Sequence, residues 1–108
     1  MAKKIIGAFV FKDLGDGCLV GKWLNSDEPP VYPQAAKLEK KNKDGKEKFC
    51  GIYVATWVEQ INVTVNAKLE ITRKKNSTYR LKWYDADGPL FFGNAMVYEN
   101  SLVGTYWD

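Results

Sequence analysis

Polar and apolar residues alternate without a break from residue 61 to residue 72. Ile61, Val63, Val65, Ala67, Leu69 and Ile71 are apolar, and Asn62, Thr64, Asn66, Lys68, Glu70 and Thr72 between them are polar. Side chains on a strand point to opposite faces in turn, so the stretch predicts a β-strand with one dry and one wet face. A helix would scatter the same apolar groups around its axis. The alternation returns at 78–84, where Tyr79, Leu81 and Trp83 share a face opposite Arg80 and Lys82. Pairing Ile71 with Tyr79 joins the two dry faces and sets Glu70 across from Arg80, a favourable cross-strand pair.

Six further segments read as strands: 5–11, 18–24, 35–41, 46–58, 89–98 and 101–107. Turn chemistry separates most of them. Asp13-Leu14-Gly15-Asp16-Gly17, Asn42-Lys43-Asp44-Gly45 and Asp85-Ala86-Asp87-Gly88 supply residues that tolerate positive φ, and Asp-Gly is a strong hairpin signal. Residues 25–34 contain Pro29, Pro30 and Pro33, which predicts a surface loop or a flap over one end of the sheet. A turn at Glu99-Asn100 pairs Tyr98 with Ser101 and brings Tyr106 opposite Gly93, an aromatic covering a strand glycine. No long segment has helical periodicity. The expected fold is all-β, a single antiparallel up-and-down barrel of about eight strands over residues 1–108, with a β-sandwich as the alternative.

Segment 49–58 is apolar on both faces. Phe49, Tyr53, Ala55 and Trp57 lie on one, and Cys50, Ile52, Val54 and Val58 on the other. A barrel wall buries only one of them. A two-residue turn at Glu59-Gln60 turns the Ile52 and Val54 face inward, and a turn one residue longer turns the Trp57 face inward; the sequence leaves both open. The outward face then calls for cover from a loop or a second copy, so a homo-oligomer is expected. Glycine followed two places on by an aromatic recurs at Gly7/Phe9, Gly21/Trp23, Gly51/Tyr53 and Gly104/Tyr106, setting a gap beside a ring on one face.

Gly21-Lys22-Trp23 near the start of an eight-stranded meander resembles the Gly-x-Trp of the lipocalins and the wider calycin group, which includes the avidins. What the resemblance implies is a calycin-like shape with a ligand cavity in the barrel.

Composition sharpens the chemistry. The chain is 14% aromatic, with four Trp, and contains no His, which removes Ser-His and Cys-His nucleophiles and most zinc chemistry. Cys18 and Cys50 are isolated, and a strand between them predicts a separation of roughly 9–10 Å, beyond disulfide reach. No Gly-rich phosphate loop precedes a helix. Asp13, Asp16, Asp27, Glu28, Asp85, Asp87 and Asp108 fall at turns or the terminus and read as turn residues. The expectation is therefore a protein without enzymatic activity, cofactor or metal. The candidate ligand-binding residues are Trp23, Tyr53, Trp57, Tyr79, Trp83, Phe91 and Tyr106, lining a site for a small apolar or aromatic molecule. An eight-stranded barrel is just wide enough for its own side chains, so the same rings are also read as a filled core. In that case the protein is a homo-oligomeric interaction module and its surface does the work.

The net charge of +3 arises in residues 37–48, where six Lys are interspersed with Glu39, Asp44 and Glu47. Interspersed acids and the lack of aromatics until Phe49 point to a solvated hairpin, not a nucleic-acid surface. No apolar run is long enough to span a bilayer, and the opening residues, broken by Gly7 and Lys12, do not read as a signal peptide; the expected location is cytoplasmic, with no membrane partner.

Overall fold

In the computed structural model, which describes residues 4–27, 31–41, 48–59 and 63–108, eight antiparallel strands follow one another around a closed barrel. They are β1 (Ile6–Gly15), β2 (Cys18–Asn25), β3 (Tyr32–Lys41), β4 (Gly51–Glu59), β5 (Val63–Arg73), β6 (Tyr79–Asp85), β7 (Gly88–Tyr98) and β8 (Ser101–Trp107). Each pairs with the next, and β8 returns to β1, with Ile6 opposite Trp107 and Lys12 opposite Ser101. Closure removes both sheet edges, so the barrel is realised and not the sandwich.

Local chemistry makes the reversals. Asp16 and Gly17 take positive φ (53° and 76°) between Gly15 and Cys18, and the Asp13 carboxylate accepts a hydrogen bond from the Gly15 N–H at 2.8 Å. Glu99 and Asn100 do the same between Tyr98 and Ser101, with φ of 49° and 67°. This register sets Gly93 opposite Tyr106, as the sequence predicts. At the β6–β7 turn the Asp85 carboxylate accepts from the Asp87 N–H at 2.8 Å. The hairpin tip read at 42–45 lies outside the described residues, as do Pro29, Pro30 and Gln60.

Two expectations are corrected. Ile71 pairs with Leu81 and Glu70 with Lys82, two residues from the expected register. The reason is a tighter reversal: Asn76 and Ser77 adopt positive φ (64° and 60°), so β5 continues through Arg73, which pairs with Tyr79. The shift of two keeps every side chain on its expected face. Strand β3 begins at Tyr32, inside the stretch expected to be loop, with Pro33 opposite Lys22. Pro33 is the second residue of its strand, where a missing N–H costs the ladder little.

The open question at β4 is settled by the chain reversal after it. Glu59 pairs with Val63, so three residues intervene, and the longer connection turns Tyr53, Ala55 and Trp57 inward. Ile52, Val54, Thr56 and Val58 face out. Inside, Phe11, Leu19, Leu69, Ile71, Leu81 and Leu102 form a sealed layer, each at most 2% exposed. Phe49, Tyr53 and Tyr79 pack beyond it toward the β3–β4 and β5–β6 end. Phe9, Trp23, Trp57, Trp83 and Tyr106 occupy the other half.

Candidate ligand cavity

That second half is not filled. A cavity of about 120 Å³ opens at the end where β2, β4, β6 and β8 finish. Its apolar lining is Ile5, Phe9, Trp23, Trp57, Trp83, Phe91 and Tyr106, and its polar lining is Asn25, Asp27, Gln34 and Glu59. Five of the seven candidate residues are therefore brought together: Trp23, Trp57, Trp83, Phe91 and Tyr106. Tyr53 and Tyr79 are buried but stand at the closed end, away from the cavity.

Each wall has a local cause. Tyr106 is paired with glycine on both sides, Gly7 on β1 and Gly93 on β7. A Cβ at Gly7 would stand 2.4 Å from the Tyr106 ring and 2.5 Å from the Leu24 carbonyl oxygen, so the ring occupies space that only glycine leaves. Thus placed, the Tyr106 hydroxyl accepts a hydrogen bond from Asn25 Nδ2 at 3.0 Å, and Asn25 Oδ1 accepts from the Asp27 N–H at 2.8 Å. This chain fixes the backbone of Asp27 at the mouth. Phe91 owes its place to a β-bulge. Trp83 pairs with Phe91 and Tyr84 with Pro89, leaving Leu90 as the extra residue, and adjacent Leu90 and Phe91 both pack on the core. Trp57 donates from Nε1 to the Glu59 carboxylate at 2.9 Å, two residues on along the same face.

The rings contact one another in series. Trp57 meets Phe91 edge-on at 6.5 Å, Phe91 meets Tyr106 at 5.4 Å and 88°, and Tyr106 and Phe9 both lie beside Trp83. Edge-to-face contacts of this kind favour a fixed arrangement of rings. Trp23 stacks on Tyr32 at 5.0 Å, yet its Nε1 is buried with no hydrogen-bond partner. An unpaired buried donor costs on the order of 1–3 kcal/mol, which makes this wall the expensive part of the barrel.

The closed end is chemically quiet. Tyr53 donates to the Phe49 carbonyl oxygen at 2.9 Å, and burial, with smaller contributions from Asp13 and Cys50, pushes its pKa from 10.0 up to about 12. Cys18 and Cys50 are not joined in a disulfide. Among the described residues no group of three or more His, Cys, Asp and Glu can hold a metal ion, and no helix is long and apolar enough to cross a membrane. A second hollow, of about 550 Å³, lies on the outer wall among Glu70, Arg80, Lys82, Phe92 and Trp107. It is larger but bounded by long charged side chains in solvent, whereas the inner cavity is bounded by rings fixed against one another.

Six lining residues were not among the sequence candidates: Ile5, Phe9, Asn25, Asp27, Gln34 and Glu59. Period two carries a signal for four of them, since Asn25 shares the face of Trp23, Glu59 that of Trp57, Phe9 that of the inward Phe11, and Gln34 that of Ala36. No protein-family model, curated protein or solved structure matches this chain.

Proposed function

We propose that this protein is a non-enzymatic binding barrel of calycin-like shape that takes a small apolar or aromatic molecule into the ring-lined cavity at its open end. The observation that carries the reading is the unfilled half of the interior. Rings of this size are available to close it, yet they stand around about 120 Å³ of space with a few polar groups at the mouth. Apolar walls with a few placed polar groups are the usual make-up of small-molecule sites. The test uses 2-phenylethanol and the indole N–H resonances of the four tryptophans. Trp57 and Trp83 line the cavity and Trp107 lies on the outer wall, so saturable shifts are expected at the first two and none at Trp107. Absence of saturable movement at the cavity tryptophans, both with 2-phenylethanol and with its amine analogue phenethylamine, overturns the reading.

A second reading, a homo-oligomeric interaction module, is favoured by the outer wall of β7, β8 and β1. Phe92 lies opposite Trp107 and Trp107 opposite Ile6; Met96 lies opposite Val103 and Val103 opposite Val10. Met96 is 56% and Ile6 60% exposed. The outward Val54 on β4, by contrast, is flanked by Lys37 and Lys68, so the apolar row runs over β7–β8–β1 and not over β4. Light scattering of Met96→Lys against wild type tests it. The variant should fall to monomer with unchanged circular dichroism, and a wild type already monomeric at high concentration rejects it.

A further inference from the structure

The charges around the cavity narrow the ligand class. Of the described residues lining it, the charged ones are Asp27 and Glu59, both acidic; no Lys or Arg lines it. The same rim carries Asp85 at the end of β6, Asp87 in the turn after it, and Asp108 beyond β8. Lys4 is the described basic residue beyond the strand ends there, while Lys22 and Lys82 occupy alternate positions to the inward Trp23 and Trp83 and so face the outer wall. This acidity runs against the chain's net charge of +3; among the described residues Lys37, Lys40, Lys41 and Lys48, against Glu39, stand toward the opposite end of the barrel. A mouth of one sign with low-dielectric walls concentrates ions of the other sign.

The walls point the same way. The faces of aromatic rings carry negative potential, strongest for Trp, and three of the four tryptophans stand around this one cavity. The Glu59 carboxylate is held by Trp57 Nε1–H, and the backbone that carries Asp27 is held by its N–H to Asn25 Oδ1. Aromatic walls alone fit any flat apolar molecule. Aromatic walls closed by two acids and, among the described lining residues, no base select among such molecules by charge.

We propose that the ligand this cavity selects is a small organic cation, a protonated amine or a quaternary ammonium on an apolar body, with the body among the tryptophans and the charge toward Asp27 and Glu59. This rests on the binding reading above. The test is calorimetry at low salt and near-neutral pH with three probes that share one phenyl body: phenethylamine, 2-phenylethanol and phenylacetate. Phenethylamine is expected to bind about tenfold more tightly than the alcohol, and phenylacetate more weakly than either. Asp27→Asn and Glu59→Gln, each verified as folded by circular dichroism, should each narrow the ratio between the amine's affinity and the alcohol's, both measured on the same variant. If the alcohol binds as tightly as the amine, the charge inference fails and the binding reading stands. If none of the three binds, both fail.

Discussion

The two halves of the barrel interior are built by the same eight strands on the same alternation, and they end differently. Toward the β1–β2 and β5–β6 turns the inward positions hold Phe11, Leu19, Leu69, Ile71, Leu81 and Leu102, and the space closes completely. Toward the other end the inward positions hold Phe9, Trp23, Trp57, Trp83, Phe91 and Tyr106, larger residues that nevertheless leave a cavity. Branched aliphatic side chains adapt to one another and fill the axis. Rigid rings that meet edge-on brace each other across it instead, and two are tied by hydrogen bonds to the wall: Tyr106 to Asn25, and Trp57 to Glu59. Greater side-chain volume thus coincides with poorer filling. The closed half supplies stability, and the open half holds polar groups in place.

The most severe way to break this comparison is to cut an equivalent side chain from each half. Leu81 is fully buried, and Leu81→Ala should cost about 3 kcal/mol, the transfer term plus the cavity left behind. Phe91 borders space that already exists and is partly exposed, so Phe91→Ala should cost only about 1 kcal/mol despite removing more atoms. Denaturant midpoints at equal slope measure both. Equal losses would mean that the open half is as tightly packed as the closed one.

Tyr53 offers a titration confined to the closed half. Its pKa is near 10.0 when unfolded and about 12 when folded, so the folded state holds the proton longer and the stability due to Tyr53 is present below pH 10. As pH rises from 10 to 12 the unfolded state ionises first and about 2–3 kcal/mol is lost. Tyr53→Phe removes this alkaline loss but gives up the hydrogen bond to Phe49, about 1 kcal/mol at neutral pH. Unfolding curves of the two proteins should converge or cross in that window; parallel curves would place the phenol in water.

In the open half the matching structural test is Gly7→Ala. The new methyl group meets the Tyr106 ring at 2.4 Å and the Leu24 carbonyl at 2.5 Å, so either ring or strand must shift. A cost of about 2 kcal/mol is expected, from the range for overpacking. The Tyr106 hydroxyl should also lose its bond to Asn25, visible as a changed Asn25 amide resonance. A variant as stable as wild type would show that Tyr106 is not held by the space above Gly7.

The closed half was the more legible of the two from sequence. Alternation at 61–72 and 78–84 names Leu69, Ile71 and Leu81 as inward, and a register error of two between β5 and β6 changes no face. What periodicity does not carry is position along the barrel axis. Tyr53 and Trp57 share one strand and one face, yet they lie in opposite halves, because four residues of strand span roughly 13 Å. Tyr79 and Trp83 divide in the same way. The polar lining was obscured by a different cause. Asn25 and Gln34 flank a Pro-rich stretch that reads as loop, although β2 runs to Asn25 and β3 starts at Tyr32, so both positions keep the strand alternation. The bulge at Leu90, which lets Leu90 and Phe91 both pack inward, interrupts the period that would have placed them.

The smallest expected effect sharpens the comparison most. Glu59→Gln at the mouth removes a charge but leaves an amide oxygen to accept from Trp57 Nε1–H, so the bond at 2.9 Å has a successor. The rim already gathers Asp27, Asp85, Asp87 and Asp108, so losing one carboxylate also relieves some mutual repulsion. Stability should therefore change by less than about 0.5 kcal/mol, as for most substitutions outside a packed core. The repulsion predicts a further sign: added salt should stabilise wild type slightly and the variant less, because screening acts on exposed charges. Leu81→Ala, in the other half, should lower stability without altering that salt response. If Glu59→Gln instead destabilises the protein as much as Leu81→Ala does, the carboxylate is part of the packing and the division between a closed, structural end and an open end is lost.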